Sequence, residues 1–128
     1  MAGYVGNIEE FAMQNNHFRQ VVYTGVHTQL VVMSLQPGEE IGMEVHDTVD
    51  QFFRIESGTL KIVMNGEEHT ITDGMAAIVP AGVEHNVINV GQGVAKLYTL
   101  YSPPNHPDHT IHATKADAMA AEAAEHAQ

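Results

Sequence analysis

The chain has 128 residues, with 5 Lys and Arg against 16 Asp and Glu, a formal net charge of −11, nine His and no Cys or Trp. That length suits one domain with a core of its own. The five cations, Arg19, Arg54, Lys61, Lys96 and Lys115, stand apart from one another, which excludes a phosphate-binding surface for nucleic acid and an anionic membrane face. The lack of Cys excludes disulfides, thiolate zinc sites and thiol nucleophiles, and it fits a reducing cytoplasm.

In chain order, residues 1–7 carry neither a basic stretch nor an apolar run, so no signal peptide is expected. Asn7, with Glu10 three residues on, caps a short helix. From there the chain is cut at short intervals by turn signals: Pro37-Gly38, Ser57-Gly58, Asn65-Gly66, Asp73-Gly74, Pro80-Ala81-Gly82 and Gly91-Gln92-Gly93. Between them lie apolar, β-branched runs: 21–23, 29–35, 51–55, 59–64, 69–72, 75–79, 85–90 and 94–101. Short strands at this spacing predict an all-β sandwich or barrel. Asn65-Gly66 supplies both positive-φ positions of a type I′ turn, predicting a hairpin between Thr59–Met64 and Glu67–Thr72. None of the apolar runs approaches the length of a membrane span.

The end of the chain reads differently. Pro103-Pro104-Asn105-His106-Pro107 cannot lie in a central strand, and Thr114 opens an Ala-rich helix reaching His126. The organisation predicted is a helix and first strand over 1–28, a barrel over 29–102, and a Pro-rich linker with a helix over 103–128. His106, His109 and His112 recur every third residue, but Pro107 bars a helix there. They are expected in a solvated tail, with His17, His27 and His126 on the surface.

Four side chains could hold a metal ion. Glu44 and His46 alternate on one strand, so they project to one side, about 6.6 Å apart along the backbone. Gln51 begins the next strand, and His85 opens a later one. By the same parity Phe53, Ile55 and Val87 face inward, and Phe52 and Arg54 outward. Val31, Met33, Leu35, Met43, Ile62, Met64, Tyr98 and Leu100 are further candidates for the core or for a mostly apolar cavity.

The run Gly74-Met75-Ala76-Ala77-Ile78-Val79-Pro80-Ala81-Gly82-Val83-Glu84-His85-Asn86-Val87-Ile88-Asn89 resembles the second cupin motif, G-x5-P-x-G-x2-H-x3-N, at every defined position. The first motif, G-x5-H-x-H-x(3,4)-E-x6-G, is recognisable from Gly38 to Gly58. There Glu44-Val45-His46 stands for H-x-H and Gln51 for the Glu. The phrasing around Asp50-Gln51-Phe52-Phe53-Arg54 and Tyr101-Ser102-Pro103-Pro104 is similar to small single-domain bacterial cupins, a group also described as mannose-6-phosphate-isomerase-like. The resemblance implies a single double-stranded β-helix, or jelly-roll, barrel and a homodimer. It implies one divalent metal ion (Fe, Mn, Ni, Co or Zn) on Glu44, His46, Gln51 and His85.

Two His and one carboxylate suit non-haem Fe(II) chemistry. The expected function is therefore a metal-dependent enzyme on a small organic substrate, leaning to dioxygenase chemistry. Glu84 and Tyr98 are the candidate acid–base residues. The alternatives are a sugar or keto-acid isomerase and a non-catalytic small-molecule-binding barrel. Gln51 bonded to Glu44 would favour the last of these.

Overall fold

The computed structural model describes residues 2–126. Helix α1 (Ile8–Gln14) is started by Asn7, whose side chain accepts from the Glu10 amide at 3.0 Å. Nine strands follow: β1 (Arg19–Thr24), β2 (Gln29–Leu35), β3 (Asp50–Ser57), β4 (Thr59–Met64), β5 (Glu67–Thr72), β6 (Ala76–Val79), β7 (His85–Asn89), β8 (Ala95–Ser102) and β9 (Ile111–His112). Helix α2 spans Lys115–His126. The side chain of His126, expected at the surface, lies outside the described residues.

The strands form two antiparallel sheets, ordered β6-β3-β8-β2-β1-β9 and β5-β4-β7. Isolated bridges Glu40–Ile88 and Glu44–His85 extend the smaller sheet past β7. This is a jelly-roll barrel. At the expected hairpin Asn65 and Gly66 take φ of 49° and 84°, and Met64 faces Glu67 across the turn. Gly58 is required where it stands: its φ is +105°, and a Cβ there would lie 2.9 Å from the Ala95 Cα. That contact lets the β3–β4 corner fold tightly against the start of β8.

The core is formed by the inward faces of both sheets: Val31, Met33 and Leu35 of β2, Phe53 and Ile55 of β3, Leu60 and Ile62 of β4, Val87 of β7 and Leu97 of β8. Parity is as expected on β3 and reversed on β8. There Leu97, Thr99 and Tyr101 are buried, while Tyr98 and Leu100 stand on the outer face. The cause is a buried polar pair. Thr99 Oγ1 accepts from the Gln51 side-chain amide at 3.0 Å, so this polar residue belongs inside. Met43 is 56 % exposed and lies outside the core.

The C-terminal segment departs from a linker and helix. Ile111 and His112 pair with Gln20 and Arg19, adding β9 to the edge of the large sheet. Before β9, the chain is clamped by Gln29, which is fully buried. Its amide nitrogen donates to the His106 carbonyl at 2.8 Å and to Thr24 Oγ1 at 3.1 Å. Its amide oxygen accepts from the backbone amides of Asn105 and His106 at 3.1 and 3.0 Å. All the hydrogen-bonding capacity of the buried amide is thereby used, as burial of a polar group demands. Helix α2 is capped by Thr114, whose hydroxyl accepts from Asp117 N at 3.1 Å, and it buries Ala118. Among the described residues no helix is long and apolar enough to cross a membrane.

Candidate metal centre

Backbone pairing brings three of the four expected ligands together. Glu44 and His85 exchange both amide–carbonyl hydrogen bonds, each 2.9 Å, so their side chains project from directly opposed positions on one face. His46 follows Glu44 by two residues, and its carbonyl accepts from Gly82 N at 2.9 Å. The Pro80-Ala81-Gly82 turn thus fixes His46 while it delivers His85. One ligand atom from each of Glu44, His46 and His85 falls within 4.8 Å of the other two.

The chemistry of the set fits a cation. His85 is buried, and its Nδ1 lies 3.0 Å from the Val83 carbonyl. That acceptor makes Nδ1 the protonated nitrogen and leaves the Nε2 lone pair for a metal. His85 Nε2 is buried without any hydrogen-bond partner. His46 Nε2 lies 3.0 Å from Glu44 Oε2, which is the separation of two ligand atoms held at right angles about 2.1 Å from one ion. Burial pushes the Glu44 carboxyl up, but the His46 hydrogen bond and the positive surroundings, the Arg19 guanidinium among them, outweigh it. Glu44 is therefore a carboxylate at neutral pH.

Gln51 is 1 % exposed and gives its amide hydrogen to Thr99 rather than to Glu44. Its Oε1 is a second buried atom without a partner. Glu84 and Tyr98 are not brought to this cluster. Glu84 is exposed, on the opposite face from His85, and its backbone amide donates to Asn65 Oδ1 at 3.0 Å. Tyr98 packs against Phe52 on the outside of the barrel, with ring centroids 6.3 Å apart.

Other residues take the place of these two. A cavity of about 430 Å³ opens at the cluster, lined by Met43, Glu44, Val45, His46, Asn105, His106, His112 and Glu122. Six of the eight are polar, against the expectation of a mostly apolar pocket. His106 and His112, expected in a solvated tail, are two of its walls. Next to it Tyr101, 1 % exposed, meets the His46 ring edge-on at 6.0 Å, and its hydroxyl lies 3.2 Å from His106 Nε2. Burial pushes the Tyr101 phenol up to about 12. Burial, aided by the Arg19 charge, pushes His106 down to about 3. Both are neutral at pH 7. Tyr101 is brought in by the β3–β8 register, in which it faces Gln51, and the reversed parity expected for β8 hid it. His106 carried no signal in the sequence, because a long-range clamp on Gln29 sets its place.

The Cupin domain family matches residues 31–101. A Bacillus subtilis protein, YrkC, is 50% identical over 109 residues, covering 80% of this chain and 59% of its own length. The chain therefore spans little more than half of that relative. The crystal structure of BH2720 from Bacillus halodurans superposes with a TM-score of 0.90 at 43% identity, covering 91% of this chain and 93% of that one. The structure of KdgF from a Halomonas species shares the fold alone, with a TM-score of 0.65 at 20% identity over 68% of this chain and 78% of that one. With the family matching more than half of its length and both of its motifs framing one cluster of candidate ligand side chains, the chain belongs to the cupin family.

Proposed function

We propose that this protein is a metal-dependent enzyme acting on a small organic substrate, with dioxygenase-type chemistry. The observation that carries the reading is the convergence of Glu44, His46 and His85 with His85 Nε2 buried and unpartnered. When bound, a divalent ion (Fe, Mn, Ni, Co or Zn) supplies a centre of net charge +1 with open positions, which as Fe(II) or Mn(II) suits oxygen-dependent cleavage. Glu44, His46 and His85 would hold it, and the buried, unpartnered Gln51 Oε1 supports a role as fourth or outer ligand. His106 presents an imidazole to the cavity as a hydrogen-bonding group, with the buried Tyr101 hydroxyl against its Nε2.

Isomerisation is the second reading, and it needs a base near neutrality facing the cavity. Glu84 points away, Tyr98 lies outside the barrel, and burial holds the His106 imidazole far below neutrality as a base. His112 and Glu122 remain on the cavity wall, so the first reading rests on the two-His, one-carboxylate set. A homodimer through the outer face of β6, β3 and β8 is also proposed. There Ile78, 63 % exposed, lies opposite Phe52 beside Leu100; the expected outcome in sedimentation analysis is a wild-type dimer that Phe52→Asp splits, and a monomeric wild type refutes the dimer.

Elemental analysis of protein purified without a histidine tag tests the centre. Wild type retains a stoichiometric divalent ion, and His46→Ala and His85→Ala lose it. Equally little metal in all three proteins refutes the reading. Oxygen uptake by the loaded protein with candidate substrates then separates cleavage from isomerisation.

A further inference from the structure

We propose that Arg19 anchors a carboxylate-binding subsite beside the metal centre, which Glu122 covers until a small organic acid displaces it. The proposal rests on reading the same cavity as a substrate site, and it adds the class of substrate: a small molecule with at least one carboxylate.

Arg19 begins β1, in register with Met33 on one side and His112 on the other. Its side chain therefore enters the barrel interior and is only 1 % exposed. It differs in this from the other four cations. Lys61 pairs with Glu68 at 2.8 Å, and Arg54 faces Glu56 at 3.8 Å on the outer face. Lys96 and Lys115 donate to the carbonyls of Asn15 and Ile41. In a chain of net charge −11, the one cation sealed inside stands next to the ligand cluster.

Burying a guanidinium is costly unless its donors are matched. The match here is poor. Nη1 lies 3.3 Å from His112 Nδ1 and 3.5 Å from Glu122 Oε1, and Nε is buried with no partner among the described residues. A guanidinium offers five donors and binds a carboxylate through two parallel bonds of about 2.8 Å. Glu122 makes a single long contact from a side chain that is 39 % exposed. It neutralises the charge loosely, and among the described residues no carboxylate engages the guanidinium through two parallel bonds.

Glu122 and His112 also line the cavity that contains Glu44 and His46. Moving the Glu122 side chain towards solvent opens a path from that cavity to the guanidinium. A ligand carboxylate on Arg19 then leaves the rest of the molecule facing the ligand cluster. A carboxylate fits better than a phosphate, because one guanidinium matches one negative charge and no Lys or further Arg lines the cavity. The alternative is that Arg19 and Glu122 merely tether α2 to the barrel.

Calorimetric titration with acetate, malonate and succinate, and with succinamide as the uncharged control, decides between them. It is run on both the chelator-treated and the Mn(II)-loaded protein. Wild type binds at least one of the acids, and succinamide does not bind. Glu122→Gln removes the internal competitor and binds about 3- to 10-fold tighter, and Arg19→Gln binds at least about 10-fold more weakly while keeping its wild-type circular dichroism. Should Arg19→Gln fail to fold, the Glu122→Gln comparison stands by itself, since a tether would give no tightening. The proposal is overturned if none of the acids binds, if Arg19→Gln binds as well as wild type, or if Glu122→Gln binds no tighter. Metal uptake is measured in parallel. Arg19-dependent acid binding by a protein that takes up no metal upholds the subsite and refutes the metal centre.

Discussion

Replacing Gln29 by Leu removes the clamp on the mouth segment while keeping the volume of the side chain. Four hydrogen bonds of 2.8 to 3.1 Å are lost, to Thr24 Oγ1, the His106 carbonyl and the amides of Asn105 and His106. Each contributes about 0.5–1.5 kcal/mol net, and a buried partner left bare costs more. The Asn105 and His106 amides lie close enough to the surface to regain water, and the Leu side chain returns roughly 1 kcal/mol of apolar burial. The expected loss is therefore about 3 kcal/mol, which for this length is a fall of roughly 10 °C in Tm. Gln29→Glu separates the two halves of the clamp. It keeps an acceptor for the two amides and sets a carboxylate oxygen against the His106 carbonyl, so it is at least as damaging as Leu. Urea denaturation followed by circular dichroism measures both. Because Gln29 touches none of the candidate ligands, metal content in folded protein stays at the wild-type level. A Gln29→Leu protein within about 0.5 kcal/mol of wild type would falsify the clamp.

His106 makes stability pH-dependent in chelator-treated protein. The unfolded imidazole takes a proton below 6.5 while the folded one resists to about 3. The unfolded state thus binds more protons across this window, and stability present above pH 6.5 is lost as pH falls towards 3. Three and a half pH units correspond to at most about 5 kcal/mol, so His106→Gln shows a distinctly shallower acid slope than wild type; equal slopes exclude His106 as the cause. Gly58→Ala forces a Cβ onto Ala95 at positive φ and lowers stability by about 2–4 kcal/mol, whereas a loss under about 0.5 kcal/mol in urea melts contradicts the close approach. Tyr98→Phe leaves stability within about 0.5 kcal/mol of wild type and Tyr101→Phe costs about 1 kcal/mol through the lost His106 contact; the reverse order would place the wrong tyrosine inside.

The barrel was legible because its signals are local. Asn65-Gly66 needs no tertiary information to turn, and Gly74 to Asn89 bears the whole frame of His85. Asn89 shows why such a motif is specific: its side chain bonds the Leu35 and Gly93 carbonyls and the Gly91 amide, each at 2.9 Å, and few other residues could do so. Glu44 and His46 were legible by alternation. Strand β8 misled because Lys96-Leu97-Tyr98-Thr99-Leu100-Tyr101 is apolar on both faces and its Thr is buried to serve Gln51. The polar wall of the cavity was hidden for a different reason. Asn105, His106 and His112 gain their positions from contacts with Gln29 and β1, more than 75 residues away in sequence, and no local pattern records such a contact.

A last consequence lies at the rim of the large sheet. The backbone from Thr110 to Ala113 takes up the outward hydrogen bonds of β1: Val21 N donates to the Thr110 carbonyl at 2.9 Å and Phe18 N to the Ala113 carbonyl at 3.1 Å. An open strand edge is a template for stacking one chain onto another, and natural sheets blunt their edges to prevent it. The two-residue β9 is too short to offer such a template itself. At the border of the small sheet, β5 carries Glu67 and Glu68, exposed charged side chains that make a poor template for stacking. The segment that shapes the cavity mouth therefore also keeps concentrated protein from polymerising edge to edge, so loosening it should raise light scattering before it changes the fold.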